Sequence, residues 1–272
     1  MRRPARAPGV PRPRTARGQD SVHVRRPVPH RRAGPEGWHR HTTALPTDGD
    51  AAVVTYGVEV PTEADLRLLG PTEGARILDL GCGAGRNAVA LATAGAKVIA
   101  VDPSTQALER ARARADAADV RVELHQAELA ELAFLRSDGI DAALSVMALA
   151  TVDDLARVFR QVHRVLKPEA PFVCSVPHPA FAMLDPTSSD PLRIVRAYDD
   201  DAPRTWELGD ERVVDHPRTI SQLFTTLHRA NFRVDQVLEP TAQAPLGRGP
   251  LVADAMRVVP ATLIVRARKQ GN

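Results

Sequence analysis

The chain has 272 residues, 43% of them apolar and 25% charged, which is enough for one sizeable α/β core, and its formal net charge is +3. Eleven of the arginines fall in residues 1–41, a stretch with no Lys and only Asp20 and Glu36 as acids, so the rest of the chain holds 25 basic and 31 acidic side chains. A mildly acidic remainder excludes the broad phosphate-binding face that clustered Lys and Arg would build, and no nucleic-acid partner is expected.

Cys82 and Cys174 are the two cysteines, with no CxxC and no zinc-spaced Cys/His cluster, so neither a disulfide framework nor a metal site is expected. No apolar run reaches the roughly 18 to 20 residues a membrane span needs, and no apolar h-region follows the basic N-terminus. We expect no membrane segment, no export, and a reducing cytoplasm.

In chain order, residues 1–50 alternate Arg, Pro, Ala and Gly without a hydrophobic period and are expected to be a disordered arm. Other readings of it are a basic arm for RNA or acidic lipid, or residues ahead of the native start. Residues 51–272 form the expected folded domain. A short helix starts near Thr62 and is stopped by Gly70 and Pro71. Strands are expected at 76–80, 97–101, 120–125, 140–146 and 171–176, with helices at about 86–94, 104–117 and 151–166 between them. Strands alternating with helices of this length imply βαβ units and a parallel sheet covered on both faces.

The stretch 177–217 breaks that rhythm with Pro177, Pro179, Pro186, Pro191, Pro203 and Pro217, and is expected to be an inserted cap. Tyr198, Trp206 and Met183 within it could line an apolar pocket or form the cap's own small core. The run Asp199-Asp200-Asp201 is expected to face solvent. A helix at about 218–230 and strands at 232–239 and 259–267 then complete the sheet.

The strongest motif is the strand Ile77-Leu-Asp79-Leu entering Gly81-Cys82-Gly83-Ala-Gly85 and then a helix. Glycines at alternate positions let the backbone turn sharply against a ligand, and the helix N-terminus behind them favours polar or anionic groups. The second strand ends at Asp102, where one carboxylate can accept hydrogen bonds from both hydroxyls of a ribose. Asp102 also reads as the N-cap of the helix that opens at Pro103-Ser104.

On these residues the sequence resembles the class I S-adenosylmethionine-dependent methyltransferases, in the small-molecule branch labelled type 11 or 25, from about Arg76 to Val176 and more loosely through Ala267. Asp79 with Gly81, Gly83 and Gly85 matches the family's acidic Gly-x-Gly-x-Gly pattern, Asp102 its second-strand acid, and Arg164-Val-Leu-Lys-Pro168 its Leu-Lys-Pro signature. The resemblance implies a Rossmann-like, doubly wound, mostly parallel seven-stranded sheet with an antiparallel last strand, plus the inserted cap. It implies S-adenosyl-L-methionine as cofactor and a small-molecule methyl acceptor as partner. Asp79 and the glycine turn, Cys82 included, would hold the methionine part and Asp102 the ribose, with Pro103 also at the cofactor. Ala127-Glu128, where the family commonly has Gly-Asp, would bring Glu128 to the adenine, and Ser145, with Val146 and Met147, would border the methyl group.

Should the acceptor lose its proton late, a general base is needed, and His178 and His216 are the candidates; His163 reads as structural or surface. Two other functions stay open. An NAD-dependent oxidoreductase or epimerase would share the glycine turn and Asp102, but the chain has no Tyr-x-x-x-Lys pair and its spacing is not Gly-x-Gly-x-x-Gly. A non-catalytic cofactor-binding module is the other.

Overall fold

The computed structural model describes residues 53–185, 189–208, 211–242 and 254–271, with residues 206–208 and 211–213 described by backbone only. The chain divides into two units at Arg32, and all described residues belong to the second; the arm over 1–50 lies outside them.

The parallel core follows the hydrophobic runs: β1 (Arg76–Leu80), β2 (Lys97–Asp102), β3 (Val122–Gln126), β4 (Ala142–Val146) and β5 (Pro171–Pro177). β1 and β2 are buried on both faces after their first residue, as strands sandwiched between helix layers must be. Two further sheet strands are β8 (Phe232–Leu238) and β9 (Thr262–Lys269), and the order across the sheet is β3-β2-β1-β4-β5-β9-β8. β9 runs antiparallel to both β5 and β8, so the fold is α/β and Rossmann-like with the expected reversed last strand.

The helices are α1 (Glu63–Leu66), α2 (Arg86–Thr93), α3 (Thr105–Ala117), α4 (Leu155–Val165) and α5 (Ile220–Arg229). α4 buries Leu155, Val158, Phe159, Val162 and Val165, a stripe at helical spacing, and packs with α5 on one face of the sheet. α2 and the segment around Val54 and Tyr56 cover the other face. α1 ends earlier than its sequence suggests. Arg67 takes the left-handed C-cap, and the Glu63 carboxylate then accepts from the amides of Leu68 (2.9 Å) and Leu69 (2.8 Å), so a side chain terminates the helix before Gly70. α4 starts later than expected, because Asp154 caps it and Ala148–Thr151 form a separate 3₁₀ turn.

Between β5 and α5 lies a segment with no strand expected from its sequence. It holds a 3₁₀ turn at Phe181–Met183 and a hairpin of β6 (Arg204–Leu208) and β7 (Glu211–Asp215), with Arg204 opposite Asp215. Phe181 and Leu184 join Ala255, Met256 and Ala261 in a small third core. Among the described residues, no helix is long and apolar enough to cross a membrane.

Candidate functional site

At the carboxyl ends of the parallel strands the chain reverses direction between β1 and β4, the place where open sheets of this kind leave a crevice. Asp79, one residue before the end of β1, lies on the face shared with Ile77 and Ala100, and Asp102 ends β2 on the same face. Between them Gly81, Gly83 and Gly85 all take positive φ, from +52° to +75°. The Gly81 and Cys82 amides donate to Val101 O (2.8 and 3.1 Å), which ties the turn to β2.

Asp102 shapes that turn. One carboxylate oxygen accepts from the Gly83 amide at 2.8 Å and the other from the Ser104 amide at 2.9 Å. The N-cap of α3 is Ser104, whose hydroxyl accepts from the Ala107 amide, so the capping role read onto Asp102 belongs two residues later. Pro103 is exposed, and its carbonyl accepts from the Gln126 side chain at 3.3 Å. The Ala127 amide donates to Asp102 O at 3.3 Å, bringing exposed Glu128 to the same edge.

Asp79 is almost sealed from solvent, and its Oδ2 has no hydrogen-bond partner among the described residues. Burial, with the charge of Asp102 adding to it and the Ala88 amide opposing, pushes the carboxyl up to about 7. Between pH 4 and 7 the folded chain therefore keeps a proton that the unfolded chain has released. Stability falls as pH rises through that window and levels off above it. The half-buried Cys82 thiol is pushed up for the same reasons, burial first and then the two acids.

Ser145 departs from its expected role. It is fully buried on the opposite face, with Ala143, and its hydroxyl proton goes to Leu80 O at 2.8 Å, so it fastens β4 to β1 instead of bordering a ligand. Met147 does reach the crevice side. A Cβ on Gly57 would meet its Cε at 3.1 Å and Thr262 Oγ1 at 2.8 Å, so the segment before α1 crosses over the strand ends. That strap is clamped by Asn87, whose side chain exchanges hydrogen bonds with both backbone groups of Thr55 (3.0 and 2.9 Å), and by the Tyr56 hydroxyl donating to Glu63 at 2.5 Å. Sequence reading missed the strap; its one signal was Asn87, a polar residue on an otherwise apolar helix face.

The two candidate bases differ. His178 is buried, its Nδ1 accepts from the Ala180 amide at 3.1 Å, and its Nε2 lies 2.8 Å from Glu239. That network assigns the proton to Nε2 and leaves the ring no lone pair for a substrate, which corrects the catalytic role expected for His178. His216 lines a cavity of about 60 Å³ beneath the segment between β5 and α5, floored by Leu149, Leu155, Val176, Leu223 and Leu263. Its Nδ1 lies 3.5 Å from Asp153, and its amide donates to Ala150 O at 2.8 Å. Arg218 bonds Val152 O and Asp153 O, so the return from the hairpin is welded to the loop after β4. Tyr198 and Asp200 also line this cavity; Met183 does not, and the Trp206 side chain lies outside the described residues. His163 sits away from both, against Phe232 and Gln270 O. No group of three or more metal-ligating side chains occurs among the described residues.

A reversed last strand beside five parallel ones, with acids at the ends of β1 and β2 flanking a glycine turn, defines an adenosyl-binding methyltransferase fold. Residues 77–169 match the methyltransferase domain family. A solved S-adenosylmethionine dependent methyltransferase of Mesorhizobium loti is 31% identical, with a TM-score of 0.60 over 76% of this chain and 96% of that one. The chain belongs to the S-adenosylmethionine-dependent methyltransferases. The ubiquinone biosynthesis O-methyltransferase of Azorhizobium caulinodans is 34% identical over 41% of this chain and 44% of its own length. The cypemycin N-terminal methyltransferase of a Streptomyces species is 34% identical over 55% and 56%. The chain thus spans about half the length of the curated relatives it matches.

Proposed function

We propose that this protein transfers a methyl group from S-adenosyl-L-methionine to a small-molecule acceptor held beneath the cap, in the cytoplasm. The observation that carries this reading is the buried Asp79 Oδ2, an acceptor with no donor among the described residues, at the rim of the glycine turn. An ammonium or hydroxyl from a ligand would satisfy it. Two further features fit the cofactor: a Cβ on Gly83 would meet nothing within 4 Å, so the turn leaves room above it, and each Asp102 oxygen keeps a lone pair beyond its bond to the backbone. In this reading Asp79 and the turn hold the methionine part, Asp102 the ribose, and Glu128 the adenine side.

When bound, the cofactor supplies a methyl carbon already activated by a cationic sulfur. The chain then has to align the acceptor with it, and alignment can lower a barrier by up to roughly 7 to 11 kcal/mol. The strap excludes water from above, and His216, with Asp153 3.5 Å from its Nδ1, takes the acceptor's proton. Calorimetry with S-adenosylhomocysteine and incubation with methyl-labelled cofactor plus a metabolite extract test this reading. Binding with label passed to a small product is expected; label retained without transfer would make the protein a binding module, and no binding would end the assignment.

His216→Asn is expected to lower turnover about 100-fold, the lower end of a general base's contribution, with S-adenosylhomocysteine affinity unchanged. Unaltered turnover would remove His216 from the chemistry. Asp79 yields a second expectation. A cation against it requires the carboxylate, so binding below pH 7 expels a proton, and S-adenosylhomocysteine affinity should rise up to tenfold per pH unit towards pH 7 and then flatten. Calorimetry in buffers of different ionisation heat counts that proton; an affinity constant from pH 5 to 8 would contradict the linkage.

A further inference from the structure

We propose that the cavity beneath the cap takes an acceptor with an apolar body and a single carboxylate, which pairs with the Arg204 guanidinium. This rests on the methyltransferase reading and names its substrate class. The apolar part follows from the floor of Leu, Val and Pro side chains supplied by the 3₁₀ turn after β4, the end of β5, and α5. The anionic part follows from Arg204, which lines the same cavity.

Arg204 Nε is cut off from solvent and donates to nothing among the described residues, and Nη2 makes one bond, to Ala182 O at 3.2 Å. Asp200 and Asp215, which line the same cavity, act on it through charge, but neither accepts from Nε. Asp200 is taken by Arg196, at 2.8 and 3.1 Å, and by the Ala202 amide at 3.2 Å, and Asp215 is engaged as well. Burial first, and the neighbouring Arg196 second, lower the guanidinium to about 10, with the charges of Asp215 and Asp200 opposing. A buried donor without an acceptor is unfavourable by itself, and a ligand that accepts from it gains accordingly.

Charge count and shape then narrow the anion. Arg196 is committed to Asp200, and Arg218 to three backbone carbonyls, those of His216, Val152 and Asp153. One guanidinium edge remains, which matches one planar monoanion; a phosphate dianion would need a second free cation. At about 60 Å³ the cavity is smaller than the roughly 150 Å³ void known to admit benzene, so the cap shifts outward when the apolar body enters.

The test uses the full chain saturated with S-adenosylhomocysteine, after calorimetry has shown that it binds. Thermal shifts and affinities are measured for phenylacetate, cinnamate, salicylate and octanoate, each beside its primary amide. Acids are expected to bind about tenfold or more tightly than their amides, the factor one charge-assisted hydrogen bond contributes. Arg204→Gln should erase that preference, and Arg204→Lys, which keeps the charge but loses the fork, should reduce it, with cofactor affinity unchanged in both. If S-adenosylhomocysteine binds but acids and amides behave alike, or if the preference survives in the folded Arg204→Lys and Arg204→Gln variants, the carboxylate proposal fails while the cofactor reading stands. If S-adenosylhomocysteine does not bind, both fail together.

Discussion

Asp102→Ala is expected to weaken S-adenosylhomocysteine binding by about 3–6 kcal/mol, the sum of two charge-assisted bonds to a ribose diol. The geometry adds a second reason for a large effect. The same carboxylate holds the amides of Gly83 and Ser104, so its removal frees the glycine turn and the entrance to α3 at once. Asp102→Asn is not a mild control: one amide oxygen can serve only one of the two N–H groups, and its NH₂ is set against the other. Both variants should therefore lose affinity in calorimetry, and alanine should also lower the melting temperature. Wild-type affinity in the alanine variant would take Asp102 out of the ribose role.

The glycines of the turn are expected to divide by their surroundings. Gly81 has φ +75°, and a Cβ there would lie 2.2 Å from Ala148 Cβ and 3.5 Å from Leu129 Cδ2. Gly81→Ala thus combines left-handed strain of roughly 1–2 kcal/mol with overpacking of roughly 1–3 kcal/mol, a loss of about 2–5 kcal/mol in folding stability. Ala148 opens the 3₁₀ turn that leads to the acceptor cavity, so the displacement is carried to that wall too. Gly83, at φ +52°, faces open space. Gly83→Ala should cost about 1 kcal/mol of strain in the fold, while its methyl enters the room proposed for the cofactor and lowers affinity. Melting curves and calorimetry on the pair separate the roles; equal melting temperatures for Gly81→Ala and wild type would contradict the packing seen here.

The strands, the helices and both acids were legible because each rests on local chemistry. The run Ile77 to Leu80 is buried on both faces and apolar except at Asp79, as befits a covered parallel strand, and it leads straight into glycines that permit the turn. Other features depended on partners distant in sequence. Nothing near Ser145 shows that its hydroxyl closes on Leu80 O, 65 positions away. Nor does anything local to His178 predict Glu239 on one nitrogen and the Ala180 amide on the other. The β6–β7 hairpin went unread because its proline-rich surroundings carry no alternating pattern strong enough to outweigh them.

By itself the sequence determined the strand–helix alternation, the glycine turn and the two carboxylates at strand ends, since periodicity and backbone freedom act over a few residues. Only the tertiary structure decided which polar groups are left over. Among the described residues, Asp79 Oδ2 has no donor and Arg204 Nε no acceptor, whereas His178 has its lone pair occupied and His216 faces the cavity. Whether a buried hydrogen-bonding group is satisfied depends on what the fold packs against it, and those neighbours come from the whole length of the chain.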